Sequence, residues 1–237
     1  MPIRAAVILI FIAFGIVSYL LGSVSFAVIF TRAFAHTDVR EHGSGNAGMT
    51  NVMRTAGLAP GVLTLLCDVL KAAVSVVLGK YLLTFLANLL LQRVYGQSMV
   101  IDSVYGAVLC GFCCVIGHIF PVFFRFRGGK GVLTSLGMVF VLEWRAALIL
   151  LAVFGVTFAL SRMVSLSSIM AAVSYPVSTW FLSGGGDAPG TFYPFGMSSQ
   201  WFQTLAALLF ALVVIFKHKD NIRRILQGQE KRFTIKK

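Results

Sequence analysis

Long apolar runs almost free of charged residues recur along the whole chain, and they limit the possible folds more than any other feature. An α-helix needs about 20 such residues to cross the hydrocarbon core of a bilayer. Charged residues make up only 12% of the 237 residues, against about 25% in soluble domains. The sequence therefore predicts an all-α, polytopic membrane bundle in which residues 1–237 form a single domain.

The boundaries of these runs predict seven transmembrane helices. The predicted spans are residues 5–31, 59–79, 104–124, 132–142, 146–160, 163–182 and 201–216. The fourth and fifth spans are separated only by residues 143–145, which could form a turn or lie inside one helix. Reading them as a turn places most lysines and arginines, including those of the tail, on one side. Because cytoplasmic loops retain basic residues, we expect the N-terminus outside and the C-terminus in the cytoplasm.

The net charge of +12 is compatible with either nucleic acid or membrane lipids as a partner. The basic residues lie where the positive-inside rule and anionic headgroups place them, so we expect membrane lipids and no nucleic acid. The first run follows Arg4, as the apolar region of a signal peptide would. It is long for such a region and lacks a convincing small-x-small cleavage site, so we expect a retained helix.

Cysteine spacing raises the question of a metal site. Cys110, Cys114 and His118 fall on one helix face at i, i+4 and i+8, with Cys113 adjacent, a pattern that could in principle hold zinc. No carboxylate accompanies them. We therefore expect small apolar side chains packed inside a helix, with no metal site and no disulfide framework.

The first polar loop, residues 40–54, interrupts the apolar pattern with the sequence REHGSGNAGMTNVMR. Gly43, Gly45 and Gly48 form G-x-G-x-x-G, and Asp68 follows 20 residues later, which superficially resembles a dinucleotide-binding fingerprint. That fingerprint requires a preceding strand, whereas both neighbours here are predicted membrane helices, so the Rossmann interpretation fails. Glycine-rich backbone can still converge its N–H groups on an anion. A polar turn that caps the second helix is the alternative.

Several polar side chains of this loop could add contacts to such an anion. Ser44, Asn46, Thr50 and Asn51 are potential hydrogen-bond donors, and the guanidinium of Arg54 matches the geometry of a phosphate. We therefore take these residues, together with the three glycines, as candidate binding residues.

The glycine loop, residues 127–131, has the sequence RGGKG. Gly128, Gly129 and Gly131 surround Lys130 at the start of a predicted helix, which combines accessible N–H groups, a helix dipole and a cation. The spacing is not that of a Walker A loop. The arrangement indicates a phosphate site, with an ordinary tight turn as the alternative.

Two further pairs of polar residues stand out. His218 and Asn221 lie three residues apart in the basic tail and so share a helical face, whereas most of the tail's charges are typical of snorkelling side chains. Asp68 and Lys71, also three apart, lie inside a predicted span, where ionisable residues are costly. They could form a structural salt bridge or support a functional site.

Six segments, in order along the chain, closely resemble the acyl-phosphate-dependent glycerol-3-phosphate acyltransferase family (PlsY). They are YLLGSVSF, GSGNAGMTNVMR, DVLK, GHIFPVFFRFRGGKG, VSLSSI and HKDNIRRILQGQEKRF. Met49 and Leu133 depart from the family pattern, which usually has alanine at both positions. The resemblance covers nearly the whole chain and implies membership of this family.

The resemblance implies a bacterial inner-membrane enzyme that transfers a fatty acyl group from acyl phosphate to the 1-hydroxyl of glycerol 3-phosphate. Lysophosphatidate and inorganic phosphate would be the products, no cofactor would be needed, and the site would lie at the cytoplasmic face. The family's pattern implicates Ser44, Arg54, His218 and Asn221 in activity and the loop glycines in glycerol phosphate binding. Glu230 matches a structural position, and Lys130 is added as a catalytic candidate by its charge.

The expected chemistry agrees with this set of residues. Acyl phosphate already carries a good leaving group, so the enzyme has mainly to position two anions and stabilise developing charge. The proton of the attacking hydroxyl could pass to His218 or to a phosphate oxygen of the substrate. A transporter would place polar groups at midplane and often show inverted repeats. A lipid-binding scaffold would leave the glycine loop unexplained.

Overall fold

The computed structural model describes residues 2–95, 99–184 and 190–232. Apart from one isolated parallel β-bridge between Val100 and Thr191, the regular structure of these residues is helical. The α-helices are α1 (Pro2–Gly22), α2 (Phe26–Ala35), α3 (Met49–Ala56), α4 (Leu58–Val77), α5 (Thr84–Tyr95), α6 (Ser103–Ile119), α7 (Val132–Leu142), α8 (Trp144–Ser161), α9 (Val164–Leu182), α10 (Ser199–Lys217) and α11 (Lys219–Leu226).

Five helical segments of the described residues are long and apolar enough to cross a membrane. They are Arg4–Ala35, Leu58–Tyr95, Ser103–Phe124, Trp144–Ser161 and Ser199–Lys217. The prediction of an all-helical membrane protein is confirmed. Helix α7 is apolar but has only 11 residues, and α9 has the length to span but carries many hydroxyl side chains.

The first predicted span, residues 5–31, is divided into two helices. Helix α1 ends at Gly22 and α2 begins at Phe26, with Ser25 in an extended conformation at the N-cap of α2. A Cβ on Gly22 would overlap the backbone carbonyl of Cys114, so α1 and α6 touch backbone to backbone here. Hydropathy cannot reveal such a break, because the residues on both sides of it are apolar.

The second predicted span ended at residue 79, whereas the helical segment continues to Tyr95, a total of 38 residues. Its middle, Leu78–Leu83, is π-helical. Gly79 lies against Gly106 of α6 so closely that a Cβ on either glycine would overlap the other's carbonyl oxygen. A π-helical segment contains an extra residue per turn, which shifts the helix face at the point where the two backbones meet.

The predicted turn between the fourth and fifth spans is present. Helix α7 ends at Leu142, and Glu143 is the N-cap of α8. The carboxylate of Glu143 accepts a hydrogen bond from the backbone N–H of Arg145 at 3.2 Å, which satisfies one of the unpaired donors of a helix N-terminus.

The described residues form two compact units. The first unit comprises residues up to 142 together with 190–196, and the second comprises 143–184 with 197–232. In the first, α1 packs on α6 and α4 packs on α7, and a small core of Ala27, Val28, Val39, Ala47 and Val52 joins the first polar loop to α2. In the second, α9 packs between α8 and α10.

Candidate functional site

The first polar loop is organised around the buried side chain of Asn51, which is 2% exposed. Its Oδ1 accepts a hydrogen bond from the backbone N–H of Ser44 at 3.1 Å. Its Nδ2 donates to the carbonyl oxygens of Val39 at 2.8 Å and His42 at 2.9 Å. The amide of Asn51 therefore holds the loop's backbone in place, so it contributes to a site through loop conformation.

The glycines of this loop allow the backbone to turn tightly over Asn51. Gly43 has φ of 62° and Gly45 has φ of 68°. Both values lie in the left-handed region, which residues other than glycine rarely adopt. A Cβ on Gly43 would also overlap the Asn51 side-chain oxygen. Ser44, between the two glycines, is exposed at the tip of the loop.

The remaining candidates of the loop lie at the beginning and end of α3. Gly48 is the N-cap of this helix, and Thr50 is in its first turn. Asn46 and Thr50 are half-buried, whereas Arg54 is exposed in the last turn. Ser44 and Arg54 thus have exposed polar side chains on a loop whose backbone is held by the buried Asn51 amide.

Arg40 links the first polar loop to the chain just before the glycine loop through a hydrogen bond, and an ion pair with Asp38 orients its guanidinium. Arg40 donates to Asp38 through Nε at 2.9 Å and Nη2 at 2.7 Å, and its Nη1 donates to the carbonyl of Phe124 at 2.7 Å. The hydrogen bond from Arg40 holds the pKa of Asp38 well below its ordinary value, and Asp38 in turn raises the pKa of Arg40. The 3₁₀ turn Val39–Glu41 is thereby fixed to a segment more than 80 residues away.

The glycine loop lies directly against the last turn of α6. The backbone N–H of Gly129 donates to the carbonyl of His118 at 3.1 Å. A Cβ on Gly128 would overlap that carbonyl, and a Cβ on Gly129 would overlap Nε2 of the His118 ring. The same Cβ would lie 2.8 Å from the carbonyl oxygen of Ala47. Gly129 therefore lies at the contact between the two loops.

Lys130 and Gly131 complete the loop before α7 begins at Val132. Gly131 has φ of 82°, and its carbonyl accepts from the N–H of Ser135 at 2.8 Å. Lys130 is half-buried. The structure thus brings together the first polar loop and the glycine loop, as one anion site would require.

Asp68 and Lys71 form a buried ion pair, with side-chain exposures of 1% and 2% and an Nζ–Oδ1 distance of 2.8 Å. Lys71 also donates to the carbonyl oxygens of Gly22 at 3.1 Å and Val24 at 2.8 Å, in the break between α1 and α2. Its Nζ lies 3.1 Å from Nδ1 of His118. Of the two interpretations left open by the sequence, the salt bridge is present, and it also touches a residue beneath the glycine loop.

The ring of His118 contacts the buried ion pair, with Nδ1 at 3.4 Å from Asp68 Oδ1. The four cysteines are free thiols, with Cys110 and Cys114 buried. Among the described residues, no three histidine, cysteine or acidic side chains are grouped as metal ligands.

His218 and Asn221 lie in the second unit at the junction of α10 and α11. His218 is 2% exposed, and its Nδ1 is 2.7 Å from the carbonyl oxygen of Val214. Because a carbonyl only accepts, Nδ1 carries a proton in this contact.

Glu230 joins the C-terminal segment to this junction. Its Oε1 accepts from Asn221 Nδ2 and Ser165 Oγ, both at 2.7 Å, and its Oε2 pairs with Arg224 Nε at 2.7 Å. Partial burial opposes ionisation, but the hydrogen bonds from Ser165, Arg224 and Asn221 outweigh it and hold the pKa of Glu230 below its ordinary value of 4.5.

Sequence reasoning missed the position of His118 and the link from Arg40 to Phe124. Two features of the sequence could have indicated the position of His118. It precedes the glycine loop by about ten residues, and a buried Asp–Lys pair commonly has further polar neighbours. The Arg40 link had no comparable signal, because its acceptor is a backbone carbonyl.

Comparisons with known proteins identify the family of the chain. The family described as glycerol-3-phosphate acyltransferase matches residues 12–228. The chain belongs to this family. It is 36% identical to the glycerol-3-phosphate acyltransferase of Endomicrobium trichonymphae, over 96% of this chain and 98% of that protein. It is 38% identical to that of Thiobacillus denitrificans, over 92% and 94%.

Two crystal structures of PlsY, an integral membrane glycerol 3-phosphate acyltransferase, resemble the fold. The glycerol 3-phosphate form has a TM-score of 0.70 at 33% identity, covering 94% of this chain and 96% of that one. The lysophosphatidic acid form has a TM-score of 0.68 at 32% identity, covering 94% and 95%. The chain is therefore a multi-pass membrane acyltransferase of this family.

Proposed function

We propose that the chain transfers a fatty acyl group from acyl phosphate to the 1-hydroxyl of glycerol 3-phosphate, with lysophosphatidate and inorganic phosphate as products. The observation that carries this proposal is the contact between the first polar loop and the glycine loop at Gly129. Two glycine-rich backbones and a cation at one place suit a reaction between two phosphate-bearing substrates. The relatives' names and the two ligand-bound forms of PlsY support glycerol 3-phosphate as the acceptor.

In this proposal the glycine loop holds the phosphate of glycerol 3-phosphate. Gly128 and Gly131 offer backbone N–H groups, Gly129 holds the loop against His118 through its own N–H, and Lys130 supplies a positive charge close to them. Gly43, Gly45, Asn46, Gly48 and Thr50 shape and line the first polar loop, while Asn51 fixes its conformation. Arg54 faces the departing phosphate, whose developing charge a guanidinium stabilises.

The transfer is direct, without an acyl-enzyme. The 1-hydroxyl oxygen attacks the acyl carbonyl carbon, the bond from that carbon to the phosphate oxygen breaks, and inorganic phosphate leaves. Ser44 donates a hydrogen bond to substrate, since no base supported by an orienting carboxylate lies beside it in the sequence. The hydroxyl proton passes to His218 or to a phosphate oxygen of the substrate, and Asn221 assists beside His218.

The absence of a covalent step has a simple test. Intact-protein mass spectrometry after incubation with acyl phosphate alone is expected to show the unmodified mass. A stoichiometric acyl adduct in the wild type that disappears in Ser44→Ala would instead establish Ser44 as a nucleophile.

We also propose seven membrane spans, with α7 and α9 added to the five long apolar segments named above, in a single domain of the bacterial inner membrane. The N-terminus would be outside, and the loops and tail that bear the site would be cytoplasmic. A cysteine at Gly185, a position outside the described residues, is expected to react from the periplasm, and one at Gln227 only from the cytoplasm. Reaction of both from the same side would refute the seven-span topology.

The decisive experiment for the activity uses purified protein reconstituted in vesicles. Palmitoyl phosphate and labelled glycerol 3-phosphate are expected to yield labelled lysophosphatidate with an equal amount of phosphate. Palmitoyl-CoA in place of palmitoyl phosphate serves as the control donor and is expected to give no product. Acylation from the thioester alone would refute the proposed donor, and uptake of intact glycerol 3-phosphate without product would indicate a transporter.

A further inference from the structure

His118 contacts two different parts of the molecule with the two ends of its ring. Nδ1 faces the buried ion pair, at 3.1 Å from Lys71 Nζ and 3.4 Å from Asp68 Oδ1. Nε2 lies under Gly129, so close that a Cβ there would overlap it. The carbonyl of His118 also accepts the Gly129 N–H. Both the ring and the backbone of His118 therefore support one residue of the glycine loop.

Lys71 gives this support a fixed position. Its ammonium touches Asp68, His118 and the carbonyl oxygens of Gly22 and Val24. Those contacts come from α4, from α6 and from the break between α1 and α2. A side chain held by so many directed contacts at 2% exposure cannot change rotamer without losing several of them.

We propose that Asp68, Lys71 and His118 form a positioning cluster. The cluster fixes the position and orientation of the Gly129 backbone in the glycine loop, and so determines the affinity for glycerol 3-phosphate. The inference rests on the proposed function. His118 acts through the loop and does not touch the reacting atoms. An anion held by backbone N–H groups is sensitive to such support, because displacements of about 1 Å change rates or affinities by as much as 100-fold.

The ordinary structural alternative is that the cluster only joins helices. In that case its loss would lower stability and would lower the fraction of active protein, with unchanged KM values. A positioning role instead changes the KM for glycerol 3-phosphate more than the KM for acyl phosphate or kcat. A change in the KM for glycerol 3-phosphate, without a matching change in the other constants, therefore distinguishes a positioning role from a purely structural one.

The test variant is His118→Asn, whose shorter side chain keeps a polar group near Lys71 and removes the ring from beneath Gly129. We expect the KM for glycerol 3-phosphate to rise at least tenfold, with kcat and the KM for acyl phosphate within threefold of wild type. His118→Gln is the second variant, to be measured if His118→Asn fails to fold.

Asn88→Ala provides a matched control at a different buried contact. Asn88 of α5 exchanges two hydrogen bonds with the backbone of Ile101, at 2.7 and 3.2 Å. The substitution removes local hydrogen bonds, as His118→Asn does. Asn88 lies about 20 residues from Asp68 along the same helical segment, which at about 1.5 Å per residue is a distance of about 30 Å. We expect reduced stability with an unchanged KM for glycerol 3-phosphate.

A double-mutant cycle tests the contact itself. Gly129→Ala in the wild type places a methyl group against the ring of His118, whereas in His118→Asn that obstacle is removed. The increase in KM caused by Gly129→Ala is therefore expected to be at least threefold smaller in the His118→Asn background. Equal increases in both backgrounds would overturn the proposal, as would a KM in His118→Asn that matches that of Asn88→Ala.

Binding of glycerol 3-phosphate without donor, followed by calorimetry, separates this inference from the proposed function. If the wild type binds and acylates glycerol 3-phosphate but His118→Asn and His118→Gln bind it equally well, the positioning cluster is refuted and the function stands. If the wild type neither binds nor acylates it, the proposed function is wrong and this inference fails with it.

Discussion

The two units fix their candidate site residues in contrasting ways. In the first, the glycine loop lies on a cluster whose charges are almost fully buried, with Lys71 at 2% exposure. In the second, Asn221 is held by the carboxylate of Glu230, which is 8% exposed and also accepts from Ser165 and Arg224, and the side chain of Arg224 is 42% exposed. Both charges of the first pair are buried, whereas the cation of the second lies at the surface.

This difference determines how each arrangement responds to damage. A buried charge that loses its partner has no water to replace it, whereas a partly exposed one is hydrated at once. The first unit should therefore tolerate few single substitutions around Lys71. The second should lose stability gradually, so that its side chains can be altered one at a time.

The largest expected effect comes from Lys71→Met. This change leaves the carboxylate of Asp68 buried without its cation, and we expect the free energy of unfolding to fall by about 3–5 kcal/mol. Titration with SDS in mixed micelles measures it. The double variant Asp68→Asn/Lys71→Met removes both charges and is expected to recover at least half of the loss. A double variant less stable than the single one would show that the pair is not the source of the effect.

Gly129→Ala should have the next largest effect, on substrate binding. The added methyl group meets both the His118 ring and the Ala47 carbonyl, and overpacking of this kind typically costs about 1–3 kcal/mol. We expect the KM for glycerol 3-phosphate to rise more than kcat falls. Lys130→Ala, by contrast, is expected to impair both constants, because its charge also acts on the transition state.

Gly155→Ala is the control for that substitution. A Cβ on Gly155 meets no atom within 4 Å, and alanine favours a helix interior, so stability and kinetics should not deteriorate. Unchanged kinetics in Gly129→Ala would mean that the contact between the two loops is looser than the distances indicate.

Glu230→Gln should have a smaller effect. Glutamine retains a side-chain oxygen for Ser165 and Asn221 but loses the charge that pairs with Arg224. Since Arg224 is 42% exposed, we expect a loss of about 1 kcal/mol or less in unfolding free energy. A several-fold decrease in kcat through displacement of Asn221 is the accompanying prediction, and steady-state assays measure it. A loss as large as that of Lys71→Met would remove the contrast between the units.

Acid should produce the smallest effect. The pKa of Glu230 is lowered from 4.5 and that of Asp38 is lowered from 3.8, so the folded state binds fewer protons than the unfolded state. Their stabilisation is complete above pH 4.5 and is lost as the pH falls below these ordinary values. In Glu230→Gln the decline that begins near pH 4.5 should be weaker, while the decline from Asp38 at lower pH should persist. An identical acid profile in both proteins would exclude Glu230 as a contributor.

The sequence was sufficient for the membrane class and for the turn before Trp144. These depend on hydropathy and on the distribution of basic residues along the chain. The break at Ser23–Ser25 and the continuation beyond Gly79 were not predictable in this way. The break lies where the backbones of Gly22 and Cys114 meet. The continuation places the charged residue Lys80 inside a helix, whereas the predicted span ended just before it.

The candidate site was predictable as a set of residues but not as a set of roles. Asn51 and Ser44 are both polar residues of the same glycine-rich loop. Asn51 is buried and organises the loop, whereas Ser44 is exposed. Which partner a buried polar side chain meets depends on segments distant in the chain. The role of His118 likewise becomes visible only when α4 and α6 are packed together.

The π-helical segment Leu78–Leu83 bears on how relatives of this chain should be aligned. The wider turn of a π-helix takes up one extra residue, so deletion of one residue there, with return to α-helical geometry, would leave the rest of the helix facing as it does now. Ala87 and Leu91, now fully buried, would keep their neighbours. The same deletion elsewhere in the helix would turn them away, because an α-helix turns by about 100° per residue. A homologue that is one residue shorter in this helix should therefore have its gap placed within 78–83, so that its buried positions stay matched on both sides.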